Sequence, residues 1–356
     1  MRSSGSLGLD LGTSAVRAVE ISVGADGPRL ERFAQIGLPP GAISAGAIRE
    51  PKAVTAALKR LRAVGRFRST RVAVGVANQR VVVRQVELPW MPAAELRAAL
   101  LFQMQDVLPF PVEEAVLDYH PVEEFVGVGG SRMLRTLVVA AETAMVTALL
   151  AAVRAAGMRP EVVDLTTFAM LRVATLTEPS RTAGPDAVTE AVVDVGAACT
   201  NVLVHSSGVP RFVRILPRGG EDVTEYLAER LGIARNDAEA RKRGVAQDSA
   251  GTPESEHFER QIQQAAIARL VAEICGSLDF YRGEPGARPL SRLVISGGGT
   301  LLGGLPEQLR VASGLPVVAS RPMTAIPNGS GVSARAVERG DPFLAVPLGL
   351  ALRMAA

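Results

Sequence analysis

The chain has 356 residues, 47% of them hydrophobic and 21% charged, with 39 basic against 36 acidic side chains. That length suits two domains, each burying its own core, and the composition excludes a disordered chain. Aromatics at 4% argue against a base-stacking nucleic-acid binder, and the net charge of +3 is spread as scattered arginines that read as solvated surface. Two cysteines and three distant histidines offer neither a disulfide framework nor a zinc site, which fits a reducing, cytoplasmic compartment. No long apolar region opens the sequence and no run reaches membrane-spanning length, so any membrane role is expected to come through partners.

In chain order, residues 7–11, 16–21 and about 30–37 read as three strands joined by glycine turns, followed by a helix over 52–64 opened by Pro51 and a strand over 71–76. Residues 81–88, 93–107, 115–122, 133–141 and 143–157 then read as strand, helix, strand, strand and helix, and 161–165 as a returning strand. A Thr-, Glu-, Pro- and Gly-rich stretch over 175–186 is the expected crossing to a second half, and 248–256 reads as a polar loop. The second half repeats the first: strands over 191–195, 201–205 and 210–216, a helix over 222–231, a long helix over 258–281, and a buried strand over 293–296. One strand order occurring twice, with an aspartate-glycine turn after each first strand, predicts a duplicated fold. Residues 343–356 read as the final buried helix.

Three loops carry the chemistry. In the first, a strand delivers Asp10 to a turn of Gly12, Thr13 and Ser14, with Arg17 just beyond. Glycine lets backbone approach a polyanion, the hydroxyl residues add donors, and a carboxylate there is useful for holding Mg²⁺ through water. An ordinary hairpin with an Asx turn would read the same way when this loop is taken alone. The second loop repeats the pattern with Asp194, Gly196, Ala197, Cys199 and Thr200, and the pair together predicts a clamp on a nucleotide's phosphates. Cys199 is read as a small loop-filling residue. The third loop, Gly297, Gly298 and Gly299 with Leu302, offers a shelf for a purine or ribose. On a helix after Gly232, Glu239 and Lys242 share a face and are assigned to the nucleoside, although an exposed salt-bridged face is the alternative.

These loops, in this order, resemble the superfamily of actin, sugar kinases and heat-shock ATPases. The resemblance implies an α/β, actin-like ATPase fold: two duplicated βββαβα lobes, with ATP or ADP and Mg²⁺ between them and an inserted βαββα subdomain in the first. The first lobe is assigned residues 1–80, 161–185 and 336–356, the insert 81–160, and the second lobe 186–335 with 224–284 as its smaller subdomain. Within the insert, Leu108, Pro109, Phe110, Pro111, Val112, Glu113 and Glu114, and elsewhere Asp164 to Ala169, Gly219 and Gly220 after Arg218, and Ser277 to Arg282, resemble the PilM family of type IV pilus assembly proteins, in the FtsA-like branch. Prolines on both sides of Phe110 impose an extended surface crossing.

That family resemblance implies a groove, formed by the insert and the adjoining face of the first lobe, for the cytoplasmic N-terminal tail of a PilN-like membrane protein, contact with other pilus platform proteins, and a place at the inner membrane through those partners. A homo-oligomer stays open. For turnover, Asp164 is the one carboxylate in the hinge segment and a weak base candidate, so slow hydrolysis with the nucleotide as a structural ligand is expected. A small-molecule kinase, an FtsA-type filament former and a type II secretion relative are the alternatives.

Overall fold

A computed structural model of the chain describes residues 5–105, 107–177, 188–244, 253–324, 326–329 and 332–355. Of the crossing expected over 175–186 and the loop expected over 248–256, residues 178–186 and 248–252 lie outside the described residues.

The first half runs β1 (Ser6–Leu11), β2 (Ala15–Gly24), β3 (Gly27–Gly37), the short pair β4 (Ile43–Ser44) and β5 (Ala47–Ile48), α1 (Pro51–Gly65) and β6 (Arg71–Val76). The inserted block follows with β7 (Val81–Pro89), α2 (Ala93–Met104), β8 (Ala115–Val126) and β9 (Arg132–Glu142), and the chain returns through α3 (Thr143–Ala155), β10 (Arg159–Leu165) and α4 (Thr166–Thr177). The second half runs β11 (Thr189–Val195), β12 (Thr200–Ser206), β13 (Val209–Leu216), α5 (Gly220–Leu231), α6 (Arg235–Lys242), α7 (Pro253–Arg282), β14 (Arg292–Ser296), α8 (Leu305–Ser313), β15 (Val317–Ala319) and α9 (Ala334–Ala355).

The duplication predicted from the sequence is present as one topology used twice. The first sheet is ordered β3-β2-β1-β6-β10 and the second β13-β12-β11-β14-β15. In each, the first three strands are an antiparallel meander and the last two lie parallel to the first. Strands β11 and β12 are buried almost throughout, as a sheet covered on both faces requires. Each half sends its last helix to the other: α4 packs against β11 and β12, and α9 lies across β1, β2 and β6 against α4.

Two helices differ from the sequence reading. Helix α9, read from the sequence over 343–356, starts at Ala334 and so also continues through Pro342, where proline would be expected to end it. The carbonyl of Pro342 instead accepts the Gly297 N–H at 2.8 Å, which ties α9 to the glycine loop. Helix α3, grouped with the insert by its place in the chain, packs against α1, β5 and β10 and shares the first sheet's core.

The insert itself is a three-stranded sheet ordered β7-β9-β8 with its own small core under α2, built from Leu88, Leu96, Leu100, Met104, Leu134 and Val138. Truncating Leu100, which is fully buried, is expected to cost about 2–5 kcal/mol. The insert also touches the second half, where Glu123 of β8 pairs with Arg211 of β13 as well as with its neighbour Arg135.

Candidate functional site

The turns after β1 and β11 close in the same way. Gly12 N–H donates to Ala15 O at 3.0 Å, and Gly196 N–H donates to Cys199 O at 2.9 Å. In register, Asp10 stands opposite Arg17 and Asp194 opposite Asn201. Arg17 donates through Nη1 to Asp10 Oδ2 at 3.2 Å and through Nε to Gln35 Oε1 at 3.0 Å, with its guanidinium 4.7 Å from the Phe343 ring centroid. Asp194 has neutral partners: Ser296 Oγ donates to its Oδ1 at 2.8 Å, and the Asn201 side chain also hydrogen-bonds it.

Burial pushes both carboxyls above the usual range. Arg17 pulls Asp10 back down and the Asp194 charge pushes it up again. Two partly buried carboxylates, with Asp194 raising Asp10 and one arginine lowering both, form a place where a divalent cation would relieve repulsion. Among the described residues no three His, Cys, Asp or Glu side chains are placed to hold one metal ion, so such a cation would draw further ligands from water and from an anion.

A cleft of about 560 Å³ separates the halves. Of the residues predicted for the site, Asp10, Gly12, Thr13, Ser14, Arg17, Asp194, Gly196, Ala197, Gly220, Glu239, Lys242, Gly297, Gly298, Gly299 and Leu302 line it. Thr200, Gly219 and Asp164 do not. Thr200 is buried and donates to Arg218 O at 2.8 Å. Gly219 sits where an added Cβ would meet Ala197 O at 2.5 Å, so its role is to let α5 approach the second loop. That approach also occupies the first amides of α5: Gly220 N–H donates to Gly196 O and Glu221 N–H to Ala197 O. Asp164 accepts from Arg172 Nη1 at 2.6 Å, which withdraws the weak base candidate into an ion pair.

On the far side of the cleft, Gly297 (φ +81°) carries no Cβ, and one placed there would meet Asp194 Oδ1 at 2.7 Å. The glycine loop therefore folds directly over the second aspartate. Opposite it, Lys242 Nζ donates to Glu239 Oε2 at 2.6 Å, to Gly220 O at 2.9 Å and to Thr224 Oγ1 at 2.7 Å. Burial would raise the Glu239 carboxyl, but Lys242, Thr224 and Arg243 outweigh it and hold it down to about 2. The pair lines the cleft and braces α6 against α5. Cys199 behaves as a half-buried filler on the cleft wall, with its thiol pushed up to about 12 by burial and by Asp194, Asp10 and Glu221.

Several lining residues escaped the sequence reading. Gln35 and Phe343 flank Arg17 from strands and helices far away in the chain, and Glu221 pairs with Arg235 at 3.3 Å across two helices, with no local pattern to mark them. Asn201 had a signal, because its spacing from Asp194 equals that of Arg17 from Asp10. Thr166 lines the cleft with its hydroxyl buried and unpaired, a state that costs about 1–3 kcal/mol.

A second surface lies on the insert. β8 is an edge strand, so its outer backbone groups are unpaired within the sheet. Val116, Asp118 and His120 alternate along its exposed face, and the His120 ring lies 5.5 Å from Phe168 in the first turn of α4. The Pro109–Phe110–Pro111 segment leads directly into this strand.

The family model for type IV pilus assembly protein PilM matches residues 8–355. The chain belongs to this family. A chain of a solved PilM-PilN type IV pilus biogenesis complex is similar over 100% of both chains, with 29% identity and a TM-score of 0.85. The ethanolamine utilization protein EutJ from Carboxydothermus hydrogenoformans is similar in fold, with 16% identity, a TM-score of 0.57, and 98% of this chain and 89% of that one covered. The cell division protein FtsA of Neisseria meningitidis serogroup B is 23% identical over 237 residues, 61% of this chain and 56% of that protein. The chain thus spans little more than half the length of that curated relative. The duplicated sheets of this PilM family member form the actin-like ATPase fold.

Proposed function

We propose that the chain is a nucleotide-binding scaffold of the type IV pilus assembly platform, placed at the cytoplasmic face of the inner membrane by a PilN-like membrane protein whose N-terminal tail it binds. The observation that carries this reading is the free edge of β8, a long exposed strand with apolar and acidic groups beside an aromatic contact to α4. Extended peptides add to such edges through main-chain hydrogen bonds, with side chains choosing the sequence. Residues 81–142 hold nine carboxylates against four arginines, a net −5 in a chain of net +3, which favours a basic tail. The likeness to the PilM-PilN complex, covering both chains in full, supports the same reading. Among the described residues no helix is long and apolar enough to cross a membrane, in keeping with attachment through a partner.

The two loops would hold Mg²⁺-bound ATP or ADP. Asp10 and Asp194 would hold the cation through water, Gly12, Thr13, Ser14, Arg17, Gly196 and Ala197 the phosphates, and Gly297, Gly298, Gly299, Leu302, Glu239 and Lys242 the nucleoside. The raised carboxyls of the two aspartates and the glycine cradle over Asp194 support that fit. Bound nucleotide would draw the halves together and stabilise them by mass action. With Asp164 tied to Arg172, Glu221 to Arg235, and Asp10 and Asp194 assigned to the cation, turnover is expected to be slow. The same ion pairs leave the kinase reading without support. Further platform proteins and self-association remain part of the proposal only as partners of a scaffold.

The test is fluorescence anisotropy with a labelled peptide of a PilN-type N-terminal tail. Saturable binding is expected, weakened about tenfold by Val116→Lys, roughly 1.4 kcal/mol, in a chain that melts like the wild type. Binding that ignores Val116→Lys, or no binding, removes the β8 assignment.

A further inference from the structure

The junction of β10 and α4 touches both surfaces. Thr166, the first residue of α4, is 6% exposed and lines the nucleotide cleft, and its Oγ1 has no hydrogen-bond partner. A valine of the same shape would carry no such unpaired group, so a hydroxyl buried behind this wall suits a water or ligand oxygen that reaches it when the cleft is filled. Two residues on, in the same first turn, Phe168 meets His120 of β8. Arg172 of the same helix bridges Asp164 at the end of β10 and Gly349 O of α9, at 2.6 and 3.2 Å.

Neither helix can slip independently past the other. At Gly349 an added Cβ would lie 2.0 Å from Ala169 O, so α4 and α9 touch backbone to backbone there. Helix α9 itself reaches the cleft through Pro342 and Phe343. A displacement at the cleft end of α4 is therefore passed to Phe168 through a helix held by packing and by Arg172, a contiguous physical connection between two sites.

We propose that Thr166 is the residue through which occupancy of the cleft is transmitted to the β8 groove. Its hydroxyl gains a partner when the anionic end of a nucleotide, or water held by it, enters the cleft. The first turn of α4 is thereby fixed, and Phe168 and His120 present an ordered wall to the tail. Less ordering then remains for the tail to impose, so nucleotide tightens tail binding. This inference rests on the reading that β8 receives the tail.

The experiment measures the affinity of the full chain for the labelled tail peptide with saturating Mg-ATP and with none. A coupling of at least about fivefold is expected for the wild type, within the usual range for linked sites. Thr166→Val is expected to bring that ratio within about twofold of unity, with saturation checked by calorimetry. Thr166→Ser, which restores a hydroxyl, is expected to restore the ratio. A Thr166→Val chain that keeps the wild-type ratio, or a Thr166→Ser chain that loses it equally, overturns the proposal. So does a Thr166→Val chain that no longer binds Mg-ATP, since Thr166 would then be a ligand-holding residue. Wild-type binding that is equal with and without nucleotide overturns the coupling and leaves the tail reading standing. Absence of tail binding in both states removes that reading and the coupling with it.

Discussion

Asp10 and Asp194 occupy one place in two copies of the same sheet, at the end of the first strand and above a turn closed by the same backbone bond. Across the register the copies part: Asp10 faces Arg17, and Asp194 faces Asn201 with Ser296 at its side. The first loop thus supplies its own cation, while the second meets its buried charge with neutral dipoles. Duplication kept the backbone that shapes a polyanion site and let the charges diverge, so the need for an external cation falls mainly on the second half.

The largest effect follows from removing that need. Asp194→Asn keeps one acceptor oxygen, for Ser296, but discards a charge that Arg17, paired with Asp10, balances only in part. Calorimetry is expected to find Mg-ATP affinity reduced about 100-fold, and thermal scans without ligand are expected to find the variant more stable than the wild type. A variant with wild-type affinity would break the distinction between the loops. Next is Arg17→Gln, which strands Asp10 beside Asp194. Loss of about 2 kcal/mol in urea unfolding is expected without ligand, with a good part restored by Mg²⁺ and nucleotide. Equal loss in both conditions would mean Arg17 is needed for packing alone.

The halves also differ in their buried titratable groups. Glu20 of β2 is fully served by Arg32 and by the Arg68 and Ser69 amides. His205 of β12 makes no hydrogen bond at Nε2, which lies 3.7 Å from Glu190 Oε2, and burial, with Arg292 adding to it, lowers its pKa from 6.5 to about 4. A base whose folded pKa is depressed favours the unfolded state on protonation. Stability is therefore expected to fall as pH drops below 6.5 and to level off near 4, by about 1 kcal/mol between pH 7 and 5.5. His205→Gln should flatten that slope, and an unchanged slope would place the acid sensitivity elsewhere. The smallest effect concerns Cys199, which is expected to resist thiol reagents at pH 8 in the folded chain. Modification as fast as in the unfolded chain would contradict its burial in the second loop.

Much of this was legible in the residues. The strand order appeared twice, and the aspartate-glycine turns and the glycine run marked three walls of the cleft, because each depends on a local backbone need that only a few residue types meet. Partners across the cleft were not legible. Nothing near Asp164 in the chain signals that Arg172, which also donates to Gly349 O, will pair with it, and the helix read over 343–356 stops short of Pro342, through which tertiary packing nonetheless carries it. Gly220, an expected site residue, reaches the cleft, but its N–H and that of Glu221 donate to Gly196 O and Ala197 O, an engagement that only the folded turn reveals.

The most direct measurement is calorimetric titration of the wild-type chain with ATP in the presence of Mg²⁺ and again in EDTA. Saturable one-site binding that is strong with Mg²⁺ and largely lost without it is the expected result. Absence of binding, or equal binding in EDTA, would contradict a cleft in which two buried aspartates await a divalent cation.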